Sequence, residues 1–267
     1  MGKPKITVVI PSYNRAEYIE KAVRSVLKQS HPRWKLLIID DASTDDTVSR
    51  LQKYLTDERI RMISLSENAG ISRVMNRALE EVDTEAFLQL DSDDWLEKDT
   101  IKRFVKAMKK NPKAALYYGN IRLWIPNRKN KWSVHQIIRH RKFSNKYQFL
   151  CYMTYMLHPR CYRTEAVRAV GGWQVDDPYD GRIMEDRRIC VKLIEKYPFH
   201  WINKIMYNRR KHRDQLTNRK GYEARNQLRK ELVKKSLKSW GSKYTPVFSY
   251  RNGLLIVKRL VRRKNRS

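Results

Sequence analysis

Asp91-Ser92-Asp93-Asp94 sets three carboxylates within four positions, directly after the apolar run Phe87-Leu88-Gln89-Leu90. Like charges that close repel one another unless a cation lies among them. Oxygen ligands suit a hard ion such as Mg2+ or Mn2+, typically one already carrying phosphate oxygens. The cluster therefore points to a metal that holds a diphosphate. Taken alone it also reads as an Asp-rich turn capping a helix near Leu96. Asp41 can accept an N–H from a uracil ring, and Tyr13 can pack along the base or ribose. For Asp40 and Asp41 the competing role is helix capping through Ser43 and Asp45. In Met184-Glu185-Asp186-Arg187-Arg188, Asp186 is the candidate base, because a hydroxyl attacking at neutral pH needs a carboxylate to take its proton. A helix-start Asp paired with Arg is the alternative there.

These residues need a scaffold, and the first half of the chain supplies one by alternating strand and helix. Ile6 to Ile10, Lys35 to Ile39, Ile60 to Leu65 and Glu85 to Leu90 read as strands. Helical periodicity runs over about Glu17 to Gln29, Asp46 to Leu55, Ile71 to Glu81 and Lys98 to Lys110. Such alternation implies a parallel sheet, whose ligands bind beyond the carboxyl ends of the strands. Pro11 to Arg15, Asp40 to Asp46 and Asp91 to Asp94 all fall at such ends. After a strand near Ala115 to Tyr118 the rhythm fades. Residues 122–146, basic and interleaved with Trp124 and Trp132, read as a flap, Met184 to Tyr197 as a helix, and Gly221 to Trp240 as a basic helix.

With 267 residues, 41% of them hydrophobic, the chain can bury a sizeable core. The longest mostly apolar run, Tyr147 to Leu157, is too short for a bilayer span of roughly 20 residues. With no apolar leader at the N-terminus, the expectation is a cytoplasmic protein, peripheral at the inner face of a membrane. Cys151, Cys161 and Cys190 lack CxxC spacing and read as buried thiols. The net charge is +30, and from Tyr207 onward 20 Lys and Arg stand against three carboxylates. A field of that size attracts polyanions: an anionic membrane surface, an acidic glycopolymer or nucleic acid, the last being the weaker reading.

Taken in order, Pro11-Ser12-Tyr13-Asn14-Arg15, Asp40-Asp41-Ala42-Ser43-Thr44-Asp45-Asp46-Thr47, Glu67-Asn68-Ala69-Gly70-Ile71-Ser72 and Leu90-Asp91-Ser92-Asp93-Asp94 resemble the motifs of the family 2 glycosyltransferases. The resemblance continues through Arg163, Gly171-Gly172-Trp173 and Glu185-Asp186, and covers about residues 4–215. It implies an α/β fold of the GT-A, Rossmann-like kind, a mostly parallel central sheet flanked by helices, here followed by a basic helical C-terminal extension. Residues 1–215 would be the glycosyltransferase domain, with 1–119 binding the nucleotide sugar and 120–215 the acceptor, and 216–267 the extension.

The implied reaction is metal-dependent, inverting transfer of one sugar from a nucleotide-diphosphate sugar, a UDP-sugar, to an acceptor hydroxyl, with Mg2+ or Mn2+ as cofactor. The acceptor would be a cell-surface glycan, a lipid-linked sugar or a polyanion. The resemblance assigns Pro11, Tyr13, Asn14, Arg15, Asp40, Asp41, Asn68, Gly70, Arg73, Asp91 and Ser92 to the donor. The metal would take Asp93, with Asp91 and His212 as further ligands, and which two carboxylates of the cluster serve stays open. Asp186 would be the base, with Glu185 and His158 on the acceptor side. Arg209 or Lys211 could equally clamp phosphate. Where the family usually has Arg before Asn76, this chain has Met75. A QxxRW motif is absent, which favours single-sugar transfer over chain extension. Two other functions compete: a non-catalytic polyanion- or membrane-binding protein on the same fold, which leaves the ordered acidic motifs unexplained, and a nucleotidyltransferase, which lacks its Gly-rich phosphate loop.

Overall fold

The computed structural model describes residues 5–212 and 221–263. The first elements are β1 (Ile6–Ser12), α1 (Ile19–Leu27), β2 (Trp34–Asp40), α2 (Thr47–Leu51), β3 (Ile60–Ser64), α3 (Ile71–Glu81), β4 (Ala86–Gln89), β5 (Trp95–Leu96) and α4 (Thr100–Lys110). Then come β6 (Leu116–Pro126), β7 (Trp132–Ile138), α5 (Lys146–Tyr152), β8 (Arg160–Arg163), α6 (Thr164–Ala169), α7 (Glu185–Lys196) and β9 (Phe199–Arg210). Helix α8 (Tyr222–Ser239) and the strands β10 (Tyr244–Arg251) and β11 (Leu254–Arg262) complete the described chain.

Alternation along the strands sets up two cores. Ile6, Val8 and Ile10 of β1 and Leu36 and Ile38 of β2 face one, while Val9, Leu37 and Ile39 face the other. Strands buried on both faces need helices on both. Helices α1 and α4 cover the first core with Ile19, Val23, Val26, Ile101, Phe104 and Met108. Helices α3, α6, α7 and α8 cover the second with Val74, Val167, Ile189, Leu193 and Leu237 among others.

The nine-stranded sheet runs β3-β2-β1-β4-β8-β6-β9-β5, with β7 hydrogen-bonded to β6. Strands β1 to β4 pair in parallel, and β6 and β9 are also parallel. Strand β8 enters antiparallel between β4 and β6, with Arg160 opposite Gln89. That register sets Arg160 beside the strand end from which Asp91 follows. In the same way β5 pairs antiparallel with β9, Trp95 opposite Asn208, so that Arg210 and His212 run past Asp94 and Asp93.

Two segments differ from the sequence reading. The presumed flap at 122–146 is in large part regular sheet: β6 extends to Pro126 and returns as β7, an antiparallel hairpin. Its aromatic and β-branched residues suit a partly exposed ribbon. The C-terminal extension is helical over α8, after which β10 and β11 form a second antiparallel hairpin. The expected domain boundary at 215/216 lies outside the described residues. Beyond it Val233, Leu237 and Trp240 of the α8 region and Val257 of β11 join the same core cluster as Val9. All three cysteines are free thiols; Cys161 and Cys190 are buried as expected, whereas Cys151 is only partly so.

Candidate active site

The loops after β1, β2 and β3 meet at the carboxyl ends of their strands and lock one another with side-chain hydrogen bonds. Asn14, at φ 51°, accepts the Thr44 N–H on Oδ1 at 2.8 Å, and its own N–H donates to Ser43 Oγ at 2.9 Å. Arg15 N–H donates to Thr47 Oγ1 at 2.7 Å. Asp40 does not cap α2, whose N-cap is Asp46; it closes the turn after β2 instead, accepting Ser43 N–H at 3.0 Å and Ser43 Oγ–H at 2.6 Å. Asp41 is buried and accepts the N–H groups of Ala69 and Gly70 at 2.7 and 3.0 Å, which fixes the 68–70 loop beside β2. Each of its oxygens retains a second lone pair for a ligand. Tyr13 stands out from this floor, 43% exposed, near Pro11 at the end of β1.

Asn68 and Gly70 lie under Arg182, which donates to Asn68 Oδ1 at 2.6 Å and to the Asn68 carbonyl at 2.8 Å. A Cβ at Gly70, whose φ is +83°, would come within 2.9 Å of that guanidinium. Arg73 forms an exposed ion pair with Asp180. Met75, standing where the family usually has Arg, is fully buried in the second core.

The acidic cluster is divided among three environments. Asp91 Oδ1 accepts Arg160 Nη2–H at 2.9 Å, and its Oδ2 lies 3.2 Å from His158 Nε2. Burial opposes ionisation of Asp91, but Arg160 and His158 outweigh it and hold the carboxyl well below its usual range. Ser92, between Asp91 and Asp93 in sequence, is buried. Asp93 Oδ2 lies 2.9 Å from His212 Nε2 and 4.0 Å from Arg15 Nε. Asp94 turns inward and accepts the Arg210 N–H at 2.7 Å; burial, then Asp93 and Asp91, push its carboxyl well above the usual range. His212 is therefore no solvent-exposed member of a basic run: its side chain is 6% exposed and packs on the Tyr18 ring at 4.7 Å.

Among the described residues, no group of three or more His, Cys, Asp or Glu side chains converges as a metal cage. The donor pair of Asp93 and His212 nevertheless fits a divalent ion whose remaining positions are filled by diphosphate and water oxygens. Asp91 points away from that pair toward Arg160 and His158.

Asp186 sits in the first turn of α7, where the helix dipole favours a carboxylate. Arg187 N–H donates to its Oδ1 at 2.6 Å, and Arg187 Nη1 lies 3.1 Å from the same atom. Arg188, the other adjacent cation, pairs instead with Asp177. Burial, followed by the Asp186 charge, pushes the carboxyl of Glu185 up to about 8. His158 is 3% exposed and faces Asp91 rather than an acceptor cleft; burial and Arg160 bring its imidazole down to about 4.

Arg160 is the residue that sequence reasoning missed. It is 2% exposed, and its guanidinium reaches Asp91 at 2.9 Å and Asp186 at 3.8 Å, joining the two carboxylate groups. Nothing in local sequence marks it; only the β4–β8 register brings it there. Arg210 was missed in the same way. It donates from Nη1 to the Asp93 carbonyl at 2.9 Å and lies over the rings of Tyr18 and Trp95.

A half-parallel sheet with carboxylates at its strand ends, interrupted by an antiparallel strand that carries Arg160, is the architecture of GT-A glycosyltransferases. The glycosyl transferase family 2 model matches residues 7–171, and the chain belongs to that family. It is 43% identical over 118 residues to TuaG of Bacillus subtilis (strain 168), whose name places it in teichuronic acid biosynthesis as a glycosyltransferase; the match covers 44% of this chain and 47% of that protein. It is 31% identical over 255 residues to the chondroitin synthase of Escherichia coli, covering 91% of this chain and 34% of that protein. The chain thus spans half or less of the length of these relatives. Among solved structures, residues 1–349 of S. aureus TarS in complex with UDP-GlcNAc superpose with a TM-score of 0.68 at 20% identity, over 87% of this chain and 66% of that one. A mannosyltransferase from Pyrobaculum calidifontis, in complex with GDP-Man and Mn2+, gives 0.59 at 18% identity, over 90% and 64%.

Proposed function

We propose that this chain transfers one sugar from a UDP-sugar to a hydroxyl of a cell-surface polysaccharide under construction, in a single metal-dependent displacement that inverts the anomeric carbon. The observation that carries this reading is the adjacency made by Arg160, which sets the donor-side carboxylate Asp91 beside the candidate base Asp186. TarS is solved with UDP-GlcNAc and with UDP, which supports a uridine donor. The names of the relatives support a polysaccharide product.

On this reading Tyr13 packs on the uracil and Asp41 receives its N–H, while Asp91, kept ionised by Arg160, receives ribose hydroxyls. Asp93 and His212 would hold Mg2+ or Mn2+, which offsets the negative charge growing on the departing diphosphate. Arg15, close to Asp93, adds a cation on the same side. Asp186 takes the proton from the acceptor hydroxyl as it attacks. Glu185, with its carboxyl near 8, already carries a proton at neutrality and cannot compete for that role. Arg187 fixes the direction of the Asp186 carboxylate. No helix among the described residues is long and apolar enough to cross a membrane. The exposed cations of α8 and the hairpin suit attachment to an anionic membrane surface, where such polymers are assembled.

Thermal-shift titration with UDP, with and without Mn2+, tests the donor site. Wild type is expected to gain several degrees only when both are present, and Asp93→Ala and His212→Ala to lose the metal-dependent part. Stabilisation by UDP that ignores Mn2+ in all three proteins would remove the metal from this account.

A further inference from the structure

The segment between α6 and α7 reaches across to the 68–70 loop and sets a guanidinium there. Asp177 builds its turn: one carboxylate oxygen accepts the Tyr179 N–H at 2.8 Å, the other accepts the Gly181 N–H at 3.1 Å, and Arg188 of α7 pairs with the same group. Gly181, at φ +70°, passes so close to α3 that a Cβ would meet Ser72 at 2.7 Å, and its carbonyl accepts Ser72 Oγ–H at 2.6 Å. Arg182, the next residue, is therefore delivered by a fixed turn.

Arg182 and Asp41 are held against the same three residues. Arg182 donates to the side chain and the carbonyl of Asn68 at 2.6 and 2.8 Å, and it lies 2.9 Å from where a Cβ of Gly70 would stand. Asn68 Nδ2 donates in turn to the Asp41 carbonyl at 3.3 Å, while the Asp41 carboxylate accepts the N–H groups of Ala69 and Gly70. Helix α3 brings no cation of its own to this spot, because Arg73 is paired with Asp180 and Met75 is buried.

As a fastener between loops Arg182 is underused. A guanidinium has five N–H donors, and Asn68 takes two of them. Its Nε lies 3.7 Å from an Asp180 oxygen, beyond hydrogen-bond reach, and Asp180 pairs more closely with Arg73. The side chain is 45% exposed, so donors remain for a ligand seated at Asp41. A carboxylate near a guanidinium offers an acceptor beside a donor. The matching partner is a ring edge that sets an N–H beside a carbonyl. A phosphate matches less well, because the Asp41 charge repels it.

We propose that Arg182 is a specificity-determining residue of the donor site. It donates a hydrogen bond to a ring carbonyl flanking the N–H that Asp41 receives, so that the two side chains together read the edge of a uracil. Cytosine is rejected, since it lacks that N–H and carries an amino group beside the position. The assignment rests on the reading of a uridine donor, and it gives that reading a second residue, from a distant segment, by which the base is chosen.

Calorimetric titration of the full chain in the presence of Mn2+ measures the affinity for UDP, 2-thio-UDP, 4-thio-UDP and CDP. Sulfur in place of oxygen keeps the ring N–H and weakens the acceptor at one carbonyl. Wild type is expected to bind UDP at least tenfold tighter than one of the thio analogues, which identifies the carbonyl, and to bind CDP more weakly still. Arg182→Ala, with its fold checked by thermal melting, should weaken UDP at least tenfold and leave that analogue within about twofold, so that the preference disappears. Arg182→Lys should keep part of it, since a charged donor remains without the planar fork. A role confined to fastening the loop, or a contact to phosphate, would weaken UDP and both analogues together and leave the preference intact. That result would overturn the proposal, as would a wild type that binds UDP and both analogues equally. In either case UDP binding stands, and with it the uridine donor. Absence of UDP binding by the wild type would instead overturn the uridine reading and the assignment of Arg182 together.

Discussion

Glu185 and Asp186 are neighbours in sequence but differ in surroundings: the Glu185 carboxyl is desolvated, whereas Asp186 is held between the guanidiniums of Arg160 and Arg187. Asp186→Asn preserves shape and removes the proposed proton acceptor. Sugar transfer is expected to fall by about a hundredfold to ten-thousandfold, measured by product formation, while UDP binding stays within twofold of wild type. Glu185 makes a separate prediction through stability. Its carboxyl is raised in the folded state, to about 8, so between the ordinary range near 4.5 and 8 the folded protein holds a proton that the unfolded chain has released. Stability attributable to this group is therefore complete below about 4.5 and declines as pH rises toward 8. Glu185→Gln should flatten that decline and raise the melting temperature relative to wild type at pH 8, while leaving the two alike at pH 5. A parallel decline in both proteins would show that Glu185 does not set it. The acidic members of the candidate site could be proposed from sequence because three carboxylates within four positions repel one another unless a cation lies among them. Arg160 and Arg210 could not, since an arginine in a chain of charge +30 carries no signal until the fold buries it.

The four strands of the first half could be read from periodicity because each is a short apolar run between turn residues and each is followed by an amphipathic helix. The second half resisted for a physical reason. Strand β9 is buried at Met206, Tyr207 and Asn208 but exposed at Asn203 and Lys204, so its pattern has neither period. Its parallel partner β6 lies far back in the sequence, and no local rule specifies that pairing. The hairpin of β10 and β11 was obscured by its many basic residues, which follow an exposed ribbon face. Helix α8 was found by pattern, yet its polarity concealed how much it buries. Leu237 is 4% exposed and packs in the second core. Leu237→Ala is expected to destabilise the protein by about 2–4 kcal/mol, read from the denaturant midpoint at unchanged slope. A shift below about 0.5 kcal/mol would mean that α8 is only loosely attached.

At the scale of the whole molecule, the surplus of charge and the core pull in opposite directions. Self-repulsion among so many cations disfavours a compact state, and the two apolar clusters on either face of the sheet must overcome it. Added salt screens the repulsion, so raising NaCl from 50 to 500 mM is expected to increase thermal stability in the absence of ligand. A melting temperature that falls with salt would show that attractive ion pairs, such as those of Arg160 and Arg187, outweigh the net field. The shared core has a further consequence, for the order of events during synthesis. Val9 belongs to the first described strand and Val257 to the last, yet both lie in one cluster. During synthesis that cluster stays incomplete until residue 257 has left the ribosome, some 250 residues after Val9. Its completion is therefore dominated by contacts between segments distant in sequence. That makes it slow, and it leaves the emerging chain exposed to aggregation until the β10–β11 hairpin docks.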